Sequence, residues 1–357
     1  MKQRPALITG GCGFVGRHLV RGLLERGVRE IWLVDDLSTG RSPEEWLSRR
    51  WKKKTSNGLS RYRSGDTTIV LVKGDAIRFF RDQISGTSKI KLPTFGDVFH
   101  LASIVGGRAL IEGDPLMVAT DLAIDALFFL WITRDPKRVE RVMYASSSAA
   151  YPIHLQGTRG AIALSEKEID FNAPTLGIPD LTYGWSKLTG EYLARLAHKK
   201  YGIRLACVRP FSGYGEDQDL TYPTPSIAMR VARGDDPIEV WGTGEQARDF
   251  VHIDDCVDAF FAILDHIEDG RGINIGSGIS TSFNQLIGHM LKIEKRTAAI
   301  KPLSEKPAGV ANRYADTSYL LKKVGWKPNI SLTDGLTRVL RGVRERLGGN
   351  DLPFSIS

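Results

Sequence analysis

Cysteine is scarce in this 357-residue chain. Cys12, Cys207 and Cys256 stand far apart, with no Cys-x-x-Cys pair and no histidine nearby in ligand spacing. That set excludes a disulfide framework and a structural zinc centre, so no metal is expected and a reducing compartment is. The opening residues, MKQRPALITGG, lack the apolar core of an export signal, and no apolar run is read as a membrane span. The expectation is a cytosolic protein without a membrane partner. Internal repeats and low-complexity tracts are also missing, which leaves a globular chain with an ordinary 42% apolar content. Its length suffices for a large core and two lobes.

Acidic residues are few in one place. Between positions 41 and 63 there are eight basic residues (Arg41, Arg49, Arg50, Lys52, Lys53, Lys54, Arg61, Arg63) and two acidic ones (Glu44, Glu45). This segment therefore holds six of the eight excess positive charges, and the excess is not spread as a nucleic-acid binder would need. No nucleic-acid partner is expected. The segment reads as an insertion between the second and third strands, a solvated basic loop or short helix with Trp46 and Trp51 as anchors; a docking patch for an acidic partner is the less favoured alternative.

Glycine is plentiful where it matters. LITGGCGFVGRHLV places Gly10, Gly13 and Gly16 at three-residue spacing between an apolar strand end and a helix. Gly10 permits a tight turn, Gly13 lets the backbone approach a pyrophosphate, and Gly16 allows close helix packing. Phe14 and Val15 open a helix whose N–H groups and dipole favour an anion. A second strand, 30–34, ends in Asp35 about twenty residues on, where a carboxylate would bind ribose hydroxyls and oppose a 2′-phosphate. The cofactor read from this pattern is NAD.

Further strands follow at 68–72, 97–102, 139–145, 203–208 and 272–275, alternating with helices at 115–134, 182–201 and 254–267. That alternation implies an α/β fold with a doubly wound parallel sheet, its function at the carboxyl ends of the strands. Asp75, after Gly74, caps the helix starting near Ala76 and could also reach an adenine amino group. The fourth strand ends in Leu101 and Ala102, followed by the SIVGG turn beside the expected cofactor, with Gly106 and Gly107. Beyond Pro210, glycine, proline and aromatics become dense, as in the loops of a second lobe. The domain reading is 1–210, joined by about 250–275, and 211–357.

A strand-end serine and a Tyr-x-x-x-Lys helix carry the chemistry. Tyr183 and Lys187 lie one turn apart on one face. A tyrosine is a weak base at neutral pH, but a lysine ammonium and a positive nicotinamide both favour its phenolate. Tyr183 could then take a proton from a substrate hydroxyl while Ser147 holds that oxygen.

Together GGCGFVG, VDDLSTG, VFHLA, the serine cluster before Tyr151, YGWSK and RDFVHIDD resemble the extended short-chain dehydrogenase/reductase family, specifically its NAD-dependent nucleotide-sugar epimerases and dehydratases. The resemblance covers nearly the whole chain. It implies a Rossmann-type NAD-binding lobe, a smaller α/β C-terminal lobe clasping a nucleoside-diphosphate sugar, and a homodimer built on the helices near 115–134 and 181–201. It places catalysis at Ser147, Tyr183 and Lys187, and substrate contacts at Gly106, Gly107, Ser148, Ser212, Arg248 and Arg313. A guanidinium fork suits a diphosphate. Ser212 departs from the asparagine of many relatives.

The position two before Tyr151 separates the subfamilies. By the resemblance, 4,6-dehydratases carry an Asp-Glu pair there, uronate decarboxylases a Glu, and GDP-mannose 3,5-epimerases and GDP-fucose synthases a Cys; here it is Ala149. Redox groups without carbanion groups imply C4 epimerisation of a nucleotide hexose or uronate. The runner-up is 3,5-epimerase-like chemistry with His154, His100 or Cys207 as substitutes. A protein that binds NAD without turnover has no need of Ser147, Tyr183 and Lys187 together.

Overall fold

The computed structural model describes residues 4–104, 106, 108–157, 161–350 and 353–357. The glycine turn leaves a strand buried along its whole length, β1 (Ala6–Thr9). After it come α1 (Phe14–Glu25), β2 (Glu30–Asp35), α2 (Pro43–Trp46), β3 (Lys52–Ser56), β4 (Leu59–Ser64), β5 (Thr67–Lys73), α3 (Ala76–Ser85) and β6 (Phe95–His100). Short α4 (Arg108–Gly113) and α5 (Pro115–Val118) precede α6 (Asp121–Arg134), β7 (Val139–Ala145), α7 (Leu181–Tyr201) and β8 (Leu205–Pro210). The remainder holds β9 (Ser212–Tyr214), α8 (Pro223–Arg233), β10 (Ile238–Trp241), β11 (Ala247–Arg248), β12 (Phe250–His252), α9 (Ile253–His266) and β13 (Asp269–Ile275). It ends with β14 (Thr281–Ser282), α10 (Phe283–Ile293), β15 (Ile300–Leu303), β16 (Asn312–Arg313), α11 (Ser318–Val324) and α12 (Leu332–Leu347).

Nine strands form one sheet in the order β13-β8-β7-β6-β1-β2-β5-β4-β3. The first seven are mutually parallel. Parallel strands need both faces covered, and their apolar runs are buried on both. On one face lie α1 and α9, packed on Ile8, Ile31, Leu33 and Phe99; on the other lie α3, α6 and α7, packed on Leu7, Val34, Val98 and Val142. The chain leaves β1 toward β2 and later returns to its opposite side at β6. A crevice therefore opens at the carboxyl ends of β1 and β6, as a doubly wound Rossmann-type sheet requires. A separate apolar cluster gathers α8, α10 and α12.

The basic segment is not the expected loop or short helix. After the one-turn α2 it forms an antiparallel hairpin, β3 with β4, that extends the sheet beyond β5. Asn57 and Gly58 take positive φ (51° and 73°), as a two-residue turn between antiparallel strands requires. Lysines are tolerated in β3 because it is an edge strand, exposed throughout. Trp46 and Trp51 are buried anchors, and Ile356 of the C-terminal tail pairs with this segment, donating to Trp46 O (2.8 Å) and accepting from Ser48 N (2.9 Å).

The helix expected over 115–134 is also corrected. It breaks after Val118, and α6 starts afresh after Thr120. Taken as one stretch of 20 residues, it contains a window of mean hydropathy 1.8 and is long and apolar enough to cross a membrane, which the sequence reading overlooked. Here α6 lies between α3 and α7 and carries Asp121 and Asp125, both 1% exposed.

Asp217, in the loop after β9, ties the glycine turn to the second half of the chain. Buried Arg17 of α1 donates to Cys12 O (2.9 Å) and to Asp217 (2.7 Å), and His18 meets the other carboxylate oxygen at 2.7 Å. Burial alone would raise the Asp217 carboxyl, but His18 and Arg17 bring it to about 2. A carboxyl held below its unfolded value stabilises the fold above pH ~4, and that contribution is lost as pH falls toward 2. Asp217→Asn leaves a buried guanidinium without its counter-charge, so urea unfolding should show a loss of about 3–5 kcal/mol. An unchanged midpoint would reject this role.

Candidate active site

The glycine turn is built as close packing demands. Gly10 sits at φ +69°, and a β-carbon there would lie 2.9 Å from Ala102 N; at Gly16 it would lie 2.5 Å from Gly10 O. Gly13 caps α1 without a side-chain bond, so the first-turn N–H groups near Phe14 and Val15 are open to anionic oxygens. Asp35 accepts from Cys12 N (2.9 Å) and Leu37 N (2.8 Å), one bond to each oxygen. Each oxygen keeps a lone pair, enough for two ribose hydroxyls. Burial pushes the Asp35 carboxyl up against those two bonds.

Across the crevice, Leu101 N donates to Thr9 O (3.1 Å) and Ala102 N to Thr9 Oγ1 (3.2 Å). Asp75 caps α3 by accepting from Arg78 N (2.8 Å), with its side chain exposed beside buried Ala76. These residues fit a dinucleotide: open N–H groups for the pyrophosphate and a carboxylate for the ribose.

The helix α7, which carries Tyr183 and Lys187, lies against the end of β7. A β-carbon at Gly184 would be 2.4 Å from Ala149 O, and at Gly190 1.9 Å from the Tyr144 hydroxyl oxygen. The Lys187 ammonium lies 5.6 Å from the Tyr183 ring centroid and 5.5 Å from that of Tyr144. Among the described residues it makes no hydrogen bond, so its donors are free for a ligand. Ser147 caps the short turn Ser148–Ala150, accepting from Ala149 N (3.1 Å), and faces the Tyr183 phenol.

Burial raises the Tyr183 phenol, Lys187 and Ser147 pull it down, and Asp121 and Asp125 push it up; the balance lies above its ordinary value. Lys187 acts in the expected direction, but burial outweighs it. Burial would lower the Lys187 ammonium, yet Asp125, Tyr183 and Asp121 raise it, so it is charged at neutral pH.

The substrate side was only partly foreseen. Arg248 and Arg313 are register partners in adjacent parallel strands, β11 and β16. Among the described residues Arg248 bonds only carbonyl oxygens: Ala247 (2.7 Å), Val310 (2.9 Å) and Ala308 (3.2 Å). Burial, with Arg313 and Arg108 nearby and Asp180 opposing, draws its guanidinium down to about 9. A half-buried cation without a carboxylate is a natural anion site. Arg313 donates to Gln156 (2.5 Å) and Asp180 (2.7 Å).

Sequence reasoning missed Arg108, Asp180 and Asp121. Asp121 holds the turn after β6 by accepting from Ser103 Oγ and Ile104 N, both at 2.6 Å. Its partners lie 18 and 17 residues away, so no local spacing gave a signal. Ser148 is buried in the turn capped by Ser147, and Gly106 packs against Leu110; Gly107 lies outside the described residues. Ser212 lies on β9 beside β12, its N–H donating to Asp249 O (2.9 Å), and its hydroxyl bonds none of the other described site residues.

The substitutes considered for 3,5-epimerase-like chemistry lie elsewhere. Cys207 is buried in β8, donating to Gly270 O, with its thiol pushed well up by burial. His100 is buried between Thr9 and Asp125, and His154 is exposed.

This arrangement defines an NAD-binding α/β enzyme. The profile of the NAD dependent epimerase/dehydratase family matches residues 6–276, and the chain belongs to that family; its cofactor is NAD. The chain is 27% identical to a putative UDP-glucose 4-epimerase of Methanocaldococcus jannaschii, over 95% of this chain and 98% of that protein. To a GDP-mannose 3,5-epimerase of Arabidopsis thaliana it is 27% identical over 70% of this chain and 65% of that protein. The same fold is seen in the UDP-glucose 4-epimerase of Thermotoga maritima solved with UDP-glucose (TM-score 0.76, 24% identity, 96% of this chain and 99% of that one). It recurs in the UDP-glucuronic acid 4-epimerase of Bacillus cereus solved with UDP-glucuronic acid and NAD (TM-score 0.73, 24% identity, the same coverage).

A phenol takes up a proton only in its deprotonated form, whose share falls as pH drops. Removing the neighbouring cation in Lys187→Met should therefore move the acid limb of kcat/KM to higher pH, by roughly 1–3 units. An acid limb that stays in place would exclude electrostatic coupling between the two.

Proposed function

We propose that this chain is a nucleotide-sugar epimerase that inverts C4 of a nucleoside-diphosphate hexose or uronate. The observation that carries the reading is the company around Ser147. Tyr183 and Lys187 are there for proton and charge management, while Ala149, buried at 3% exposure, stands where carbanion chemistry would need an acid or thiol. NAD, when bound, supplies the hydride acceptor and donor. Tyr183 takes the proton of the C4 hydroxyl, Ser147 holds that oxygen, and Lys187 stabilises the phenolate. The 4-keto sugar turns in the site so that the other face of C4 meets the nicotinamide, and Tyr183 returns the proton to the C4 oxygen. Arg248 and Arg313 hold the diphosphate through that turn. The chain divides into an NAD lobe, 1–210 with about 250–275, and a substrate lobe in 211–357.

Two further readings belong with this one. The three unpaired, buried thiols suit the cytosol. Apolar residues at helical spacing are exposed on α6 (Leu122, Leu130) and α7 (Leu181, Trp185, Tyr192), a face suited to a second copy of the chain.

Incubation with UDP-glucose, UDP-glucuronate, UDP-N-acetylglucosamine and GDP-mannose, followed by NMR, should reveal C4 inversion of one of them without solvent deuterium at C3 or C5. Deuterium at either carbon would reject C4 chemistry. Tyr183→Phe should lower kcat by about 10²–10⁴. In light scattering the protein should run as a dimer and Leu122→Glu/Trp185→Glu as a monomer; a monomeric parent would end the dimer reading.

A further inference from the structure

Asp180 stands at the N-terminus of α7, yet its carboxylate makes no cap bond to that helix. It turns instead to two guanidinium groups. Arg108 Nη1 donates to both its oxygens (2.9 and 3.0 Å), and Arg313 Nη2 donates to one of them at 2.7 Å. The Asp180 backbone is pinned as well: its N–H donates to Ala149 O (3.0 Å) and its carbonyl accepts from Gly184 N (2.8 Å). Tyr183 follows three residues later, so a single residue links the arginines to the helix that carries the phenol.

The charges around it can be counted. Arg108, Arg248 and Arg313 bring three positive charges, and Asp180, 6% exposed, removes one. Burial would raise its carboxyl, but Arg313 and Arg108 bring it below its ordinary value, so it is ionised at neutral pH. Glu112 also reaches Arg108, but its side chain is 36% exposed and water screens that contact. Two net positive charges remain, matching the two negative charges of a diphosphate diester. Asp180 is shared between Arg108 and Arg313, while Arg248 faces no carboxylate among the described residues.

We infer that Asp180 is a positioning residue that sets the charge and aim of the phosphate clamp, and thereby restricts the enzyme to nucleotide sugars whose only anionic group is the diphosphate. A sugar carboxylate would add a third negative charge to a site where Asp180 already supplies one, and such like-charge encounters are costly in a partly dry interface. The inference rests on reading Arg248 and Arg313 as the diphosphate clamp.

Titration calorimetry of the NAD-loaded enzyme tests it, with UDP-glucose against UDP-glucuronate and GDP-mannose against GDP-mannuronate, read on whichever base binds as its free diphosphate, UDP or GDP. The parent protein should bind the neutral sugar about tenfold or more tighter than the uronate. Asp180→Asn, which keeps the shape and adds one net positive charge, should shrink that ratio by about tenfold, and Asp180→Glu should restore it. An unchanged melting temperature identifies folded variants, and the restored ratio in Asp180→Glu separates a charge effect from a structural one. A parent that prefers the uronate, or equal ratios in parent and Asp180→Asn, overturns the inference. Arg248→Met is a separate arm: if it binds the free diphosphate as tightly as the parent does, the clamp reading itself has failed.

Discussion

The site depends on how closely α7 approaches the end of β7. Gly190 faces the Tyr144 hydroxyl at a separation that excludes any β-carbon, and Gly184 does the same toward Ala149 O. A helix-interior glycine costs roughly 1 kcal/mol relative to alanine. What the helix gains is a fixed register over the strand end. The Tyr144 hydroxyl that fills the space at Gly190 also donates to Asp125 (2.6 Å), so the contact that admits α7 anchors α6 too. Lys187 sits on the buried side of this junction, and Tyr183 one turn before it. Neither can shift without moving the helix.

Electrostatics follow the same division between framework and site. Framework arginines that are buried meet carboxylates: Arg209 meets Glu191 at 2.6 Å, and Arg17 meets Asp217 at 2.7 Å. Removing one member of such a pair strands a charge, so they hold elements in place. Arg248 is arranged differently, cradled by three carbonyl oxygens that orient it without neutralising it. A cation held this way at a strand end keeps its charge free for a further anion. Its register partner Arg313 is tied to Asp180 at 2.7 Å.

Much of the sheet, and the local motifs of the site, were legible in the sequence because both depend on short spacings. Three glycines at intervals of three, an acid about twenty residues on, and a Tyr and Lys four apart are patterns in one stretch of chain, and β2 and β7 begin at the residues read from the sequence, Glu30 and Val139. The hairpin at 52–64 was missed because KKKTS has no apolar alternation; its lysines face water on a sheet edge. Asn57-Gly58 was the available signal. The break before α6 was hidden by continuous hydrophobicity, with Thr120 the only local mark. Asp180 and Arg108 lie 72 residues apart and meet only because α7 and the segment after β6 end at the same crevice. Burial of Tyr183 reverses the net direction of its phenol, and burial is a property of the folded chain alone.

One buried polar chain has a use of its own. Ala102 N donates to the Thr9 hydroxyl oxygen, Thr9 meets His100 Nδ1 at 2.7 Å, and His100 Nε2 meets Asp125 at 3.1 Å. The Asp125 carboxylate accepts at Nε2, so the ring proton belongs there and the Thr9 hydroxyl donates to Nδ1. Burial keeps the imidazole neutral, and stacking on Phe128 at 3.8 Å holds the ring in one orientation. The result is a solvent-shielded N–H with one tautomer and no titration of its own near neutrality, wired to the backbone that lines the dinucleotide crevice. In the spectrum of ¹⁵N-labelled protein that resonance is a natural gauge of whether the crevice is filled, readable without a dye or a turnover.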